Sequence, residues 1–233
     1  MSRNSETPLI PQLSTPTSTM PGSITRSPDI LPRATQLRDA YNIELHSAVG
    51  HPVNFGELIL DKGEITTIVV FIRHFFCVYD QSSVRSVSGH ITDSALETLS
   101  HTQTRGPIQL IIIGCGNPSL IVPYVSETAA AMPVYTDPSG KLYEKLHMRR
   151  TVKGIMSQPV YSSVGFWKSL GITLRQMFRK GRRGILGGRW DQQGGEWIFS
   201  GGKVEYVHRM KDASDHLTAE ELLGILESRG KEW

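Results

Sequence analysis

The stretch Thr66 to Asp80, TTIVVFIRHFFCVYD, constrains this chain more than any other. Val69, Val70, Phe71, Ile72, Phe75 and Phe76 are β-branched or aromatic, and the run is far short of a membrane span. It predicts a buried strand. Cys77 then falls where a helical pattern begins. A thiol at a helix start faces unpaired backbone N–H groups and the positive end of the helix dipole, both of which favour the thiolate. Asp80 follows three residues later, where a dithiol motif would place its second cysteine.

Around that unit the chain divides in two. Residues 1 to 33 are rich in Ser, Thr and Pro with almost no apolar periodicity. Such a segment buries too little surface to offset its ordering entropy, and it predicts a disordered tail. Glu6, Asp29 and the prolines argue against an Arg-rich transit helix. Residues 34–233 then form one domain. The expected elements are a short strand over Ile43 to His46, a short helix over Phe55 to Leu60 and a strand over Thr66 to His74. Val84, Val87, Ile91, Ala95 and Leu99 recur at helical steps, so one helix is expected from Cys77 to Ser100, kinked near Gly89. A strand over Ile108 to Ile113, a helix over Leu120 to Ala131, a strand over Pro133 to Thr136 and a helix over Lys141 to His147 follow. Glu196 to Ser200 and Lys203 to Arg209 read as a hairpin across Gly201-Gly202. Thr218 caps a last amphipathic helix, with Glu221 completing a capping box.

Charge and cysteine content exclude several classes. The formal net charge is +3, which gives no strong case for nucleic acid. Two cysteines, Cys77 and Cys115, do not make a secreted disulfide scaffold. No apolar run reaches transmembrane length and no signal core opens the chain, so a cytoplasmic or nuclear, reducing location is expected. Trp167 to Arg189 carries an apolar stripe among seven Lys and Arg residues, a basic insertion around 161–190. Such a helix covers its domain in the common case, and the pattern leaves a peripheral membrane contact open.

Five segments, taken in order, resemble a known family: RHFFC at Arg73, IIIGCG at Ile111, VYTDPSGKLYEKL at Val134, QQGGEWIFSGG at Gln192 and HRMKDASDH at His208. Together they are similar to the peroxiredoxin-like 2 proteins of the AhpC/TSA superfamily. The resemblance spans roughly Thr35 to Leu226. It implies an α/β thioredoxin-like fold, a central mixed sheet flanked by helices, and an antioxidant or thiol-redox activity. Members often carry Cys-x-x-Cys at the strand–helix junction; Cys77 matches the first cysteine and Asp80 replaces the second, which puts a dithiol cycle in doubt.

The candidate catalytic set is Cys77 with Asp80, Arg73 and His74. A thiolate with access to solvent is needed to attack a peroxide or disulfide. Strand alternation sends Arg73 and His74 to opposite faces, so one of them at most is expected at the thiol. Asp80 opposes the thiolate if close. The plainer reading of Cys77 is a small buried apolar residue. Cys115, between two glycines, reads as a packed cysteine at a turn rather than a resolving thiol. Gly194, Gly195 and Glu196 stand where the family pattern implies a substrate-facing loop, and the glycines would allow close backbone approach. Arg209 is a candidate for stabilising a peroxide oxygen. For His208, Arg209, Asp215 and His216 the plainer reading, surface charge and capping, is preferred. No cofactor is implied, and no His, Cys or carboxylate spacing suits a metal.

Three functions remain open on these residues. One is a peroxiredoxin-like oxidoreductase using Cys77 alone, with a small peroxide as substrate and an external thiol such as glutathione as reductant. Another is a redox-inactive binding or scaffold module. The third is an accessory enzyme of a small-molecule biosynthetic pathway using the same pocket.

Overall fold

The computed structural model describes residues 29–59, 64–102, 106–151 and 188–229. The expected tail up to 28 and the basic stretch up to 187 lie outside them.

The apolar run forms β3 (Thr66–Phe71), buried along its whole length. It pairs in parallel with β4 (Ile108–Gly114) on one side and antiparallel with β6 (Gly195–Ser200) on the other. The sheet extends outward through β5 (Val134–Thr136), β1 (Glu44–His46) and β2 (Pro52–Asn54) on one flank, and β7 (Lys203–Arg209) on the other. The seven strands run in the order β2-β1-β5-β4-β3-β6-β7. A strand at the centre of a sheet with both faces covered has to be apolar throughout, which is why β3 and β4 read as continuous runs.

Side chains of β3 alternate between two cores. Ile68, Val70 and Ile72 join α3 (Val78–His90), α4 (Asp93–Thr102), α5 (Ile121–Thr128) and α7 (Ala219–Arg229). Val69 and Phe71 join α1 (Ala34–Tyr41), α2 (Phe55–Ile59) and α6 (Lys141–Lys145). The result is the expected mixed sheet between two helical layers. Phe71 sits at the centre of the second core, with edge-on contacts to Tyr143 at 5.5 Å and Trp197 at 6.2 Å between ring centres.

Two expectations need correction. The single helix from Cys77 to Ser100 is two helices, α3 and α4. Ile91 leaves helical geometry, and the Thr92 hydroxyl accepts the Ala95 N–H at 3.3 Å, starting α4 anew. Gly89 weakens the preceding turn, where helix propensity is least. The other is β3, which stops at Phe71, so Arg73 and His74 lie beyond the strand and its alternation does not govern them.

The hairpin and the last capping box form as expected. Gly201 (φ 52°) and Gly202 (φ 75°) take the left-handed turn between β6 and β7. Thr218 Oγ1 accepts the Glu221 N–H at 3.1 Å while the Glu221 carboxylate accepts the Thr218 N–H at 2.8 Å. The segment before α1 is already docked: Asp29 N–H donates to Val207 O at 2.7 Å.

Gly194 is pressed against β3. A Cβ there would lie 1.9 Å from Phe71 O, a backbone atom that cannot step aside. Gly194→Ala is therefore expected to lower unfolding free energy by about 3 kcal/mol in urea titration. A change under about 0.5 kcal/mol would contradict this packing.

Candidate functional site

The site lies where β3 ends. Ile72 N–H donates to Ile113 O at 2.9 Å, and the Tyr143 hydroxyl reaches Ile72 O and Ile113 O at 2.7 and 2.8 Å, tying the two strand ends together. The chain then turns, with Cys77 N–H donating to His74 O at 3.0 Å, and Cys77 becomes the N-cap of α3. Asp80, in the first turn of that helix, reaches back. Its Oδ2 accepts the backbone N–H of Arg73 at 2.7 Å and of His74 at 3.3 Å. One carboxylate thus holds the turn that presents the thiol.

Cys77 is 5% exposed. Arg73 Nη1 donates to its Sγ at 3.3 Å. The same guanidinium is pinned by Trp190 O at 2.8 Å and Gln192 O at 3.1 Å. His74 turns to Trp190 instead, ring centres 4.5 Å apart. Burial, then the charge of Asp80, push the Cys77 thiol up to about 12, against the pull of Arg73. Helix-end N–H groups favour a thiolate only modestly, and a dry, carboxylate-flanked site outweighs them. Burial and the neighbouring Arg73 take His74 down to about 3, so its ring is neutral and offers the thiol no charge.

Behind Asp80 runs a chain of alternating carboxylates and imidazoles. Asp80 Oδ1 meets His216 Nε2 at 3.0 Å, and His216 Nδ1 meets Glu196 Oε1 at 2.5 Å. Glu196 Oε2 meets His208 Nδ1 at 2.7 Å, and His208 Nε2 lies 3.4 Å from Asp215 Oδ2. Asp80, Glu196 and His216 are fully or almost fully buried. Burial opposes every charge here, yet the neighbours win. Asp80 and Glu196 are held below the usual carboxylate range, chiefly by His216 and His208. His216 rises to about 10 and His208 to about 9, against burial, through Glu196, Asp80 and Asp215. Both rings are imidazolium at neutral pH. The surface-charge reading of His208 and His216 is therefore wrong: with Glu196 they form a buried charged chain that ends at Asp80 on one side and at the partly exposed Asp215 on the other.

The remaining candidates have other contacts. Gly194 and Gly195 let the chain pack on Phe71 O and His208 O, where a Cβ would sit 1.9 and 2.1 Å away. Arg209 points to the opposite face of β7 from His208. Its guanidinium lies over the Trp197 ring at 4.8 Å and donates to Leu146 O and Ile30 O. Cys115 joins the core on the α1 and α6 side of the sheet, and burial pushes its thiol up to about 11. Both cysteines are free. Tyr124, overlooked in the sequence, is a buried phenol whose hydroxyl has no hydrogen-bond partner among the described residues and which feels the charges of Asp80 and Cys77. Among the described residues no group of three or more His, Cys, Asp or Glu is placed to hold a metal, and no helix is long and apolar enough to cross a membrane.

Comparison with known proteins gives three kinds of match. Residues 95–212 match the family profile described as AhpC/TSA antioxidant enzyme; the matched stretch starts beyond Cys77 and includes Glu196 and His208. Peroxiredoxin-like 2C of Bos taurus is 28% identical over 185 residues, 77% of this chain and 74% of that protein. The Homo sapiens protein of the same name is 26% identical over 185 residues, 77% and 75% of the two chains. Among solved structures, the bacterioferritin comigratory protein of Xanthomonas campestris superposes with TM-score 0.51 at 11% identity, over 83% of this chain and 96% of that one. Peroxiredoxin 6 of Arenicola marina gives TM-score 0.51 at 14% identity, over 81% and 70%. The fold is thioredoxin-like.

The charged chain sets an expected pH profile. His208 and His216 bind protons more tightly folded than unfolded, so their contribution is whole below the ordinary 6.5 and fades as pH rises through about 9 and about 10. His74 is the reverse: its contribution is whole above 6.5 and fades as pH falls toward about 3. Asp80 and Glu196 also lose theirs in acid, as pH falls below their ordinary 3.8 and 4.5. Thermal stability should therefore peak near the shared 6.5. In calorimetric scans Tm should be lower by at least about 5 °C at pH 9 than at the peak. A Tm that stays flat or rises over that interval would contradict the charged state of the chain.

Proposed function

The chain belongs to the AhpC/TSA antioxidant-enzyme family, and from that membership we propose that it is a peroxiredoxin-like thiol oxidoreductase that reduces a peroxide through Cys77 alone, with Asp80 as general base. The observation that carries this reading is the placement of one sulfur between the Arg73 guanidinium and the Asp80 carboxylate at the head of a helix. The relatives named peroxiredoxin-like and the alkyl peroxide reduction named for the Xanthomonas campestris protein support the substrate class.

The chemistry follows from the charges. A thiol at about 12 leaves only on the order of one molecule in 10⁵ as thiolate at neutral pH, so the route through a standing thiolate is closed. Cys77 reacts as a thiol. Sγ attacks the terminal oxygen of R–O–O–H, the S–O bond forms as the O–O bond breaks, and Cys77 becomes a sulfenic acid. Asp80 takes the thiol proton and returns it to the departing alkoxide, which leaves as R–OH. Arg73 donates to the sulfur and to the oxygen that replaces its proton. His216 holds Asp80 ionised, so the base is ready at neutral pH. With Cys77 and Cys115 both free, this reading assigns reduction to an external thiol: the first thiol condenses with the sulfenic acid to a mixed disulfide and water, and the second releases Cys77 and a disulfide of the reductant. Free cysteines suit a cytoplasmic, reducing location.

A second reading has an observation of its own. The thiol is buried and uncharged, as it would be in a thioredoxin fold that has given up redox work and serves as a binding module. One substitution separates the two. Asp80→Asn keeps the acceptor for the Arg73 and His74 N–H groups, removes the base, and removes the charge that raises the thiol. With Asp80 as base, oxidation of Cys77 by hydrogen peroxide at pH 7 slows about a hundredfold in the variant, and Cys77→Ser has none. If the wild type is inert and Asp80→Asn oxidises faster, Asp80 silences the thiol and the binding reading stands.

A further inference from the structure

The face of the sheet turned away from Cys77 carries a second assembly that the proposed chemistry does not use. A cleft of about 520 Å³ opens between the segment before α1 and the loop after α6, and Arg33, Arg149, Arg209 and His147 line it with Ile30 and Leu31. That volume lies within the roughly 300–1,000 Å³ usual for small-molecule sites.

The cations are arranged rather than scattered. Arg209 is fixed at the floor: Nε donates to Leu146 O at 2.9 Å, Nη1 to Ile30 O at 3.0 Å, and the plane lies over Trp197. Two donors are used in holding it, which leaves Nη2 for a ligand. Among its charged neighbours Arg209 feels Asp29 most and Arg149 next. The Asp29 carboxylate accepts the Arg209 backbone N–H at 2.8 Å. One carboxylate faces three guanidinium groups in this cleft, which leaves a positive excess for an anion. Among the described residues neither Arg33 nor Arg149 has an ion-pair partner, although other surface arginines of this chain do, as Arg150 with Asp191 at 2.7 Å. His147 takes a left-handed backbone, φ 54°, unusual for a side-chain-bearing residue, and Gln36 Nε2 donates to its ring at 2.5 Å. Above the guanidinium groups, Ile30 is 89% and Leu31 48% exposed, an apolar lip on a cationic floor.

We propose that this cleft binds a small organic anion, its carboxylate or phosphate held by Arg149 and Arg209 and its apolar body against Ile30 and Leu31. Guanidinium forks match the oxygens of either group and hold them two at a time. The lip has no use for a bare inorganic ion, which is why an organic body is part of the assignment. The site is independent of Cys77, because the side chains of β7 alternate and Arg209 and His208 face opposite cores.

Isothermal titration of the full chain at low ionic strength tests this, with phenyl phosphate, benzoate and inorganic phosphate as probes. At least one of the two aromatic anions should bind saturably, more tightly than inorganic phosphate. Arg149→Glu, at an exposed position with no side-chain partner among the described residues, should weaken that binding at least tenfold while leaving Tm unchanged. The stronger of the two aromatic probes identifies the phosphate or the carboxylate as the recognised group. The proposal is overturned if neither aromatic anion saturates, if inorganic phosphate binds as tightly as the aromatic anions, or if Arg149→Glu binds them as well as the wild type.

Discussion

The ion pair between Asp80 and His216 is the contact on which the rest of this site depends. Asp80 sits on α3 and His216 precedes α7, so the pair joins two helices on the same face of the sheet. With its other oxygen Asp80 holds the backbone of Arg73 and His74. That fixes where the Arg73 side chain begins, and Arg73 in turn reaches the thiol and the carbonyls of Trp190 and Gln192. Burying charge is expensive, several kcal/mol for each ion even after relaxation. Removing one partner and leaving the other charged costs about 3–5 kcal/mol. Each charge meets an opposite one: Asp80, His216, Glu196, His208 and Asp215 alternate in sign. Well-packed apolar residues of similar volume often make a core as stable, so this chain of buried charges is not by itself a source of stability.

That arrangement changes what a cysteine at a helix start can do. In an exposed site the helix end and Arg73 would make Cys77 a standing thiolate. Here the carboxylate that organises the turn also keeps the proton on sulfur. A lone Cys77 with a carboxylate three residues away is therefore not a dithiol site with one part missing. The position that would hold a second thiol holds a carboxylate, and His216 keeps it ionised. Tyr124 is a buried hydroxyl without a partner among the described residues, and it feels the charges of Asp80 and Cys77.

Much of the fold was legible in the sequence. Continuous apolar runs marked β3 and β4, since a central strand covered on both faces has no polar side to show. Gly201-Gly202 marked the hairpin, because a tight turn between twisted strands needs left-handed backbone. Thr218 and Glu221 marked the last cap. The resemblance of five ordered segments fixed the family. The site was less legible. Asp80, Glu196, His208 and His216 lie far apart in the chain, and no local spacing joins them. A signal did exist: Glu196 shares its strand face with Ile198, and His208 shares its face with Tyr206, so alternation alone places a carboxylate and an imidazole on a core-facing side. Polar residues on a buried face need partners, and that rule applies to the strand pattern alone. That the thiol keeps its proton was not legible, because local sequence supplies the helix end but not the degree of burial that overrides it. At Gly194 and Gly195 close backbone approach was legible, since that is what glycine allows, and the protein's own β3 and β7 take up that approach.

The most direct measurement is of the imidazoles themselves, by 15N chemical shifts of His216 and His208 in labelled protein titrated from pH 6 upward. Both ring nitrogens of both residues should be protonated at pH 7, with His208 losing its proton near 9 and His216 near 10. A neutral His216 at pH 7 would contradict the charged chain: Asp80 would then lack its imidazolium partner, and the proposed role of Asp80 at Cys77 would lose its support.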